Sequence, residues 1–152
     1  GVQKNRSSWK GTDIILQELN KIVSDKNSPF ELKIAIDLSY KEYINIYNDS
    51  NIFFDQLYSY STGMNGLLAM AKGKIVFGGA EPESYQILGE YDLKPIINIS
   101  PFNIHNLSRL LYSLVEGFDF LQQGLIARQY IEKHHSASKV ADSYLKVYSD
   151  IL

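Results

Sequence analysis

The sequence predicts an α/β domain built on a doubly wound, mostly parallel sheet, with helices on both faces and a helical C-terminus. Three observations carry this. Short apolar runs rich in Ile, Val and Phe alternate with segments whose apolar residues recur at helical spacing. The connections between them are short and carry Gly, Pro, Asn and Ser. Beyond Pro101 the pattern is helical to the end of the chain.

The elements follow in order. A helix is expected from about Thr12 to Val23, with Ile15, Leu19 and Ile22 on one face and Thr12 as N-cap. Asn27-Ser28-Pro29 ends it, and Leu32-Lys33-Ile34-Ala35-Ile36 reads as a short strand. Ser39 and Glu42 have capping-box spacing, which predicts a helix from Tyr40 to Tyr47. Ile52-Phe53-Phe54 and Ile75-Val76-Phe77 are strands of the kind buried on both faces. Between them a helix from about Gly63 to Lys72 places Met64, Leu67, Leu68 and Ala71 on one stripe, and Gly73 ends it. Ile96–Ile99 is a further strand, closed by Pro101. Three helices follow, at about Ile104–Glu116, Phe120–Lys133 and Ser138–Ile151; the last carries Val140, Tyr144, Val147, Tyr148 and Ile151 on one stripe. A domain of this kind ordinarily opens on a strand, so the first strand is expected to be trimmed away or reduced to Val2.

A chain of 152 residues is one domain with room for a proper core. Its net charge of −2 and lack of a Lys/Arg run argue against nucleic-acid binding. The absence of cysteine excludes disulfides, zinc-thiolate sites and a cysteine nucleophile, and fits a reducing, cytoplasmic setting. No apolar run approaches the ~18 residues of a membrane span. The polar start Gly1-Val2-Gln3-Lys4-Asn5-Arg6 has no signal-peptide core, and Gly1 without a preceding Met suggests a processed or cut chain.

Three loops carry candidate chemistry. Ser61, Thr62, Gly63, Met64 and Asn65 form a polar turn into a helix, where N–H groups without intrahelical partners and the helix dipole favour a phosphate. A plain N-cap at Ser61 or Thr62 is the structural alternative. Arg6 and Lys10, beside the single tryptophan Trp9, could grip and neutralise a phosphate, or lie in a solvated terminus. Glu81 and Glu83 follow the Gly78-Gly79 pair after a buried strand, where a carboxylate could hold sugar or ribose hydroxyls; a surface turn is the alternative. No G-x-G-x-x-G follows any strand. His134 and His135 are adjacent near a helix end, which suits capping better than a shared metal ion, and no metal site is expected.

Taken together, Arg6, Lys10-Gly11-Thr12-Asp13, the Asp55-to-Gly73 block with Ala69-Met70-Ala71-Lys72-Gly73, and Tyr130-Ile131-Glu132-Lys133-His134-His135-Ser136 resemble the C-terminal, donor-binding domain of GT-B fold glycosyltransferases of the retaining "group 1" kind. In that family a Lys-Gly-x-Asp helix start, a Glu-Ala-Met-Ala-x-Gly-x-Pro-Val segment and a closing helix with Lys-His-His-Ser or Lys-His-Phe-Ser occur in this order. The resemblance spans essentially the whole chain and implies a Rossmann-like domain that binds a nucleotide-diphosphate sugar. The hexosyl group would pass to a saccharide or lipid-linked acceptor in polysaccharide assembly. It implies that Arg6 and Lys10 (or Lys4 or Asn5 in place of Arg6) clamp the diphosphate, and that the Gly63, Met64 and Asn65 amides hold the distal phosphate. No cofactor or essential metal is implied. The paired glutamates of the family fall at Tyr60 and Leu68 here, leaving Glu81 or Glu83 as substitutes, or a different donor.

The resemblance also implies a missing N-terminal acceptor domain as partner, a chain inactive by itself, and a cytoplasmic parent enzyme with peripheral contact to the inner membrane face. The rival reading is a non-catalytic α/β interaction module derived from that fold. A receiver- or flavodoxin-like domain is disfavoured because no acidic cluster follows a first strand.

Overall fold

Three short strands form one parallel sheet in the order β1 (Ile52–Phe54), β2 (Ile75–Gly78), β3 (Ile96–Asn98). β2 is central: Phe53 lies opposite Val76, and Phe77 lies opposite Ile97. The computed structural model that shows this describes residues 7–117 and 119–151. The helices are α1 (Ser7–Lys10), α2 (Thr12–Val23), α3 (Tyr40–Asn48), α4 (Met64–Ala71), α5 (Pro82–Ile87), α6 (Leu107–Val115), α7 (Phe120–His134) and α8 (Ala137–Ile151), with a 3-10 turn at Ile104–Asn106 before α6. The expected α/β class is therefore present, with a sheet of three strands among the described residues.

Strand alternation divides the core in two. Ile75 and Phe77 point to one face, where Ile15, Leu19, Leu107 and Leu111 from α2 and α6 cover them. Val76 points to the other, against Ala69 and Met70 of α4, Tyr47 of α3 and Tyr130 of α7. All four residues of β2 are buried, as its uninterrupted apolar run requires.

Local chemistry explains most boundaries. Ser39 and Glu42 form the reciprocal capping box that their spacing predicts. Gly73 follows α4 at φ 69°, the left-handed stop expected of it. Lys74 is buried, and its ammonium donates to the carbonyls of Asn48, the last residue of α3, and Ser50 just beyond it, a favourable place for a cation. Burial lowers its pKa, with nearby Lys72 adding to the shift.

Several expectations are corrected. Leu32–Ile36 is not a strand of the three-stranded sheet and is reduced to a single β-bridge at Ile36. Phe30 and Leu32 pack on the core, Phe30 edge-on to Tyr112, and Lys33 pairs with Asp49. Thr12 is the first helical residue, and the N-cap is Gly11, at φ 67°. Glu81-Pro82-Glu83 opens helix α5 rather than a plain turn, Pro at the first helical position being a start signal. Helix α1 was not expected from the pattern. The expectation for Val2 lies outside the described residues. The apolar stripe of α8 is present, yet the helix buries none of its side chains.

Candidate functional site

The three candidate loops meet at the C-terminal edge of β1 and β2, tied together by backbone hydrogen bonds. The Leu57 N–H donates to the Lys10 carbonyl at 2.7 Å, joining the α1–α2 corner to the loop after β1. The approach is close: a Cβ on Gly11 would lie 2.6 Å from Leu57 Cβ. The Glu81 N–H donates to the Tyr60 carbonyl at 3.0 Å, and the Thr62 hydroxyl donates to the Gly79 carbonyl at 3.2 Å. A Cβ on Gly79 would fall 1.8 Å from the Ser59 carbonyl oxygen, so only glycine lets these two loops touch. From β3, the Asn98 side-chain oxygen accepts the Ala80 N–H at 3.0 Å. The ends of all three strands thus brace one surface, the edge where ligands sit in open parallel sheets.

The turn before α4 differs from its expected form. Neither Ser61 nor Thr62 is the N-cap. The Ser61 carbonyl accepts from the Ser59 hydroxyl, and Thr62 is turned to Gly79. The N-cap is Gly63, and its N–H donates to Asp55 Oδ2 at 2.6 Å. The first amide of the expected phosphate cradle is therefore engaged by a carboxylate of the chain itself. The N–H groups of Met64, Asn65 and Gly66 have no partner among the described residues. The Asn65 carbonyl accepts from the Tyr47 hydroxyl at 2.9 Å, which fixes the start of α4 against α3.

Asp55 is the residue that sequence reasoning missed. It sits one position past β1, walled by Gly63, Gly66 and Gly78, where added Cβ atoms would come within 3.2–3.3 Å of its side chain. Burial raises its carboxyl above the ordinary 3.8, opposed by the Gly63 N–H and by the positive charge of Lys10. Lys10 is thus close enough to act electrostatically at the start of α4. The signal that could have revealed Asp55 was a lone carboxylate ending a buried strand. Arg6, the other expected diphosphate ligand, lies outside the described residues. Glu81 is the N-cap of α5 without a side-chain capping bond, and Glu83 is exposed in its first turn. Both lie where the chain leaves β2.

A groove of about 430 Å³ runs along the outer edge of β1, lined by Ile15, Leu19, Phe30, Tyr43 and Ile52 among others, with Asp55 at one end. Its walls are about equally polar and apolar, with Glu31, Lys33, Asp49 and Asp55 among the lining residues.

His134 and His135 do not share a ligand. His134 Nε2 and Lys133 Nζ meet Glu90 Oε2 at 2.6 and 2.7 Å, while Glu90 Oε1 accepts the N–H groups of Asp92 and Leu93, both at 3.0 Å. Glu90 is fully buried. The Lys-His-His segment therefore locks the end of α7 to the loop between α5 and β3. Burial and the neighbouring His134 lower the pKa of His135. Among the described residues no cluster of His, Cys, Asp and Glu could hold a metal ion, and no helix is long and apolar enough to cross a membrane.

No family model, curated protein or solved structure matches this chain.

Proposed function

We propose that this chain is a Rossmann-like, doubly wound donor domain of a GT-B glycosyltransferase, binding a nucleotide-diphosphate sugar at the loop edge. The observation that carries the reading is the convergence of the Lys10, Asp55–Asn65 and Gly78–Glu83 loops on one edge of a parallel sheet. Lys10 neutralises the diphosphate, and the free amides of Met64 and Asn65 receive the distal phosphate. Glu81 and Glu83 accept sugar or ribose hydroxyls. Stabilising the departing nucleoside diphosphate is the main electrostatic demand of hexosyl transfer, and positioned amides and a lysine meet it without a metal. The acceptor side belongs to a separate N-terminal domain of a cytoplasmic parent enzyme of polysaccharide assembly, so the chain alone transfers nothing.

A second reading is a non-catalytic α/β interaction module. It is favoured by Asp55, which already occupies the Gly63 amide.

Isothermal titration with UDP, GDP and ADP, each with and without Mg²⁺, separates the two. The donor reading expects metal-independent binding of a nucleoside diphosphate, weakened about tenfold by Lys10→Ala, the scale of a lost charge-assisted hydrogen bond. Absence of binding to all three favours the module. Sugar transfer by the isolated chain would contradict the requirement for an acceptor domain.

A further inference from the structure

The loop edge also carries large aromatic side chains that the fold does not use. Trp9 is 81% exposed, Tyr60 74% and Tyr58 48%. A tryptophan is ordinarily among the more buried residues, so an exposed one beside a candidate anion site is informative. The three lie on the two strips of chain that the Leu57–Lys10 hydrogen bond joins. Trp9 immediately precedes Lys10 on α1. Tyr58 lies over Gly11, its Cε2 being 3.2 Å from where a Cβ would stand, so a side chain there would displace the ring. Tyr60 accepts the Glu81 N–H through its carbonyl, further along the same strip as Tyr58. Exposed aromatic side chains thus stand on the two strips of chain that carry Lys10 and lead into the unpartnered amides of α4.

A ligand that satisfies both has a planar ring attached to phosphate. We infer that Trp9, Tyr58 and Tyr60 form a stacking rim for the base of the nucleotide, while Lys10 and the α4 amides take its phosphates. The inference rests on the donor-site reading and deepens it. Stacking uses the π-face that every base has, so the rim binds purine and pyrimidine nucleotides alike and leaves base choice to other contacts.

Trp9 is the only tryptophan of the chain and reports directly on its own surroundings. The test follows its fluorescence while the full chain is titrated with UDP, ADP and inorganic pyrophosphate, with calorimetry on Trp9→Ala and Tyr58→Ala in parallel. Expected are quenching by UDP and ADP but not by pyrophosphate, and about tenfold weaker UDP binding in each variant with pyrophosphate binding unchanged. Circular dichroism melts of both variants, expected to match the parent because these rings are exposed, guard against misfolding. If UDP binds no better than pyrophosphate and neither variant changes it, the rim is overturned while the anion site stands. If neither UDP, ADP nor pyrophosphate binds, the donor-site reading falls and the rim with it. If UDP binds and only the Tyr58 and Trp9 variants melt early, the rings pack the fold, and the rim is again overturned.

Discussion

Two carboxylates, the fully buried Glu90 and the partly buried Asp55, are treated in opposite ways by this domain. Glu90 has both oxygens committed: two backbone N–H groups on one, the His134 ring and the Lys133 ammonium on the other. The His134 contact, the Leu93 N–H and Lys133 hold its carboxyl far below the ordinary 4.5. Among the described residues, Asp55 has the Gly63 N–H on one oxygen and Lys10 as a nearby charge; burial outweighs them and its carboxyl is raised. A carboxylate paired on every side is a fastener. One with a single hydrogen bond among the described residues, walled by glycines and placed at the end of a strand, is where a site can form.

The sharpest way to break the comparison is to remove each carboxylate. Glu90→Ala strips the partner from a buried cluster and leaves His134 and two amides unpaired; the melting temperature should fall by ~10 °C. Glu90→Gln keeps an acceptor for the amides and should lose about half as much. His134→Ala should cost more than Lys133→Ala, because the histidine side chain is almost buried and the lysine is half-exposed. Thermal melts of the four variants check the order; equal melting temperatures for Glu90→Ala and the parent would show that the cluster fastens nothing.

Acid unfolding should show the same opposition. Glu90 binds its proton more weakly when folded, so its contribution is whole above about pH 4.5 and is lost as pH falls through its depressed folded value. Asp55 binds its proton more tightly when folded. It costs nothing below its ordinary 3.8, and stability declines as pH rises through its raised value. Urea melts between about pH 3 and about pH 7 should therefore find the acid slope flattened in Glu90→Gln and steepened in Asp55→Asn.

Smaller effects are expected at the loop edge. Asp55→Asn keeps an acceptor for Gly63 N–H but removes the charge, so stability at neutral pH should change by no more than about 1 kcal/mol. Nucleoside diphosphate binding should tighten about fivefold, since the α4 start and Lys10 lose a competing anion. Lys10→Ala should shift stability by no more than about 0.5 kcal/mol, being a surface change, while weakening that binding. Calorimetry and denaturant melts on the same preparations test both.

How much of this was legible beforehand follows from range. Patterns of short range survived: the Ser39–Glu42 box, the Gly73 stop, the buried run of β2 and the helical C-terminal third. What failed needed partners distant in sequence. Leu32–Ile36 has strand chemistry but keeps only a β-bridge at Ile36, beside the Lys33–Asp49 pair and core contacts. Ser61 and Thr62 have capping chemistry, but Gly79 claims the Thr62 hydroxyl, and the N-cap is Gly63, whose N–H is held by Asp55. The meeting of the three loops was anticipated only as strand ends on one sheet edge. The residue at its centre, Asp55, was read as the end of a strand. Glu90 gave no signal, because the side chains it pairs with, Lys133 and His134, lie on α7, far along the chain.

Amide-resolved NMR during titration with UDP tests the donor-edge reading most directly. Perturbations concentrated at Met64, Asn65, Gly66, Gly79 and Glu81, with the Glu90, Asp92 and Leu93 signals unmoved, are the expected result. Shifts confined to the Glu90 region, or none at saturating nucleotide, would contradict it.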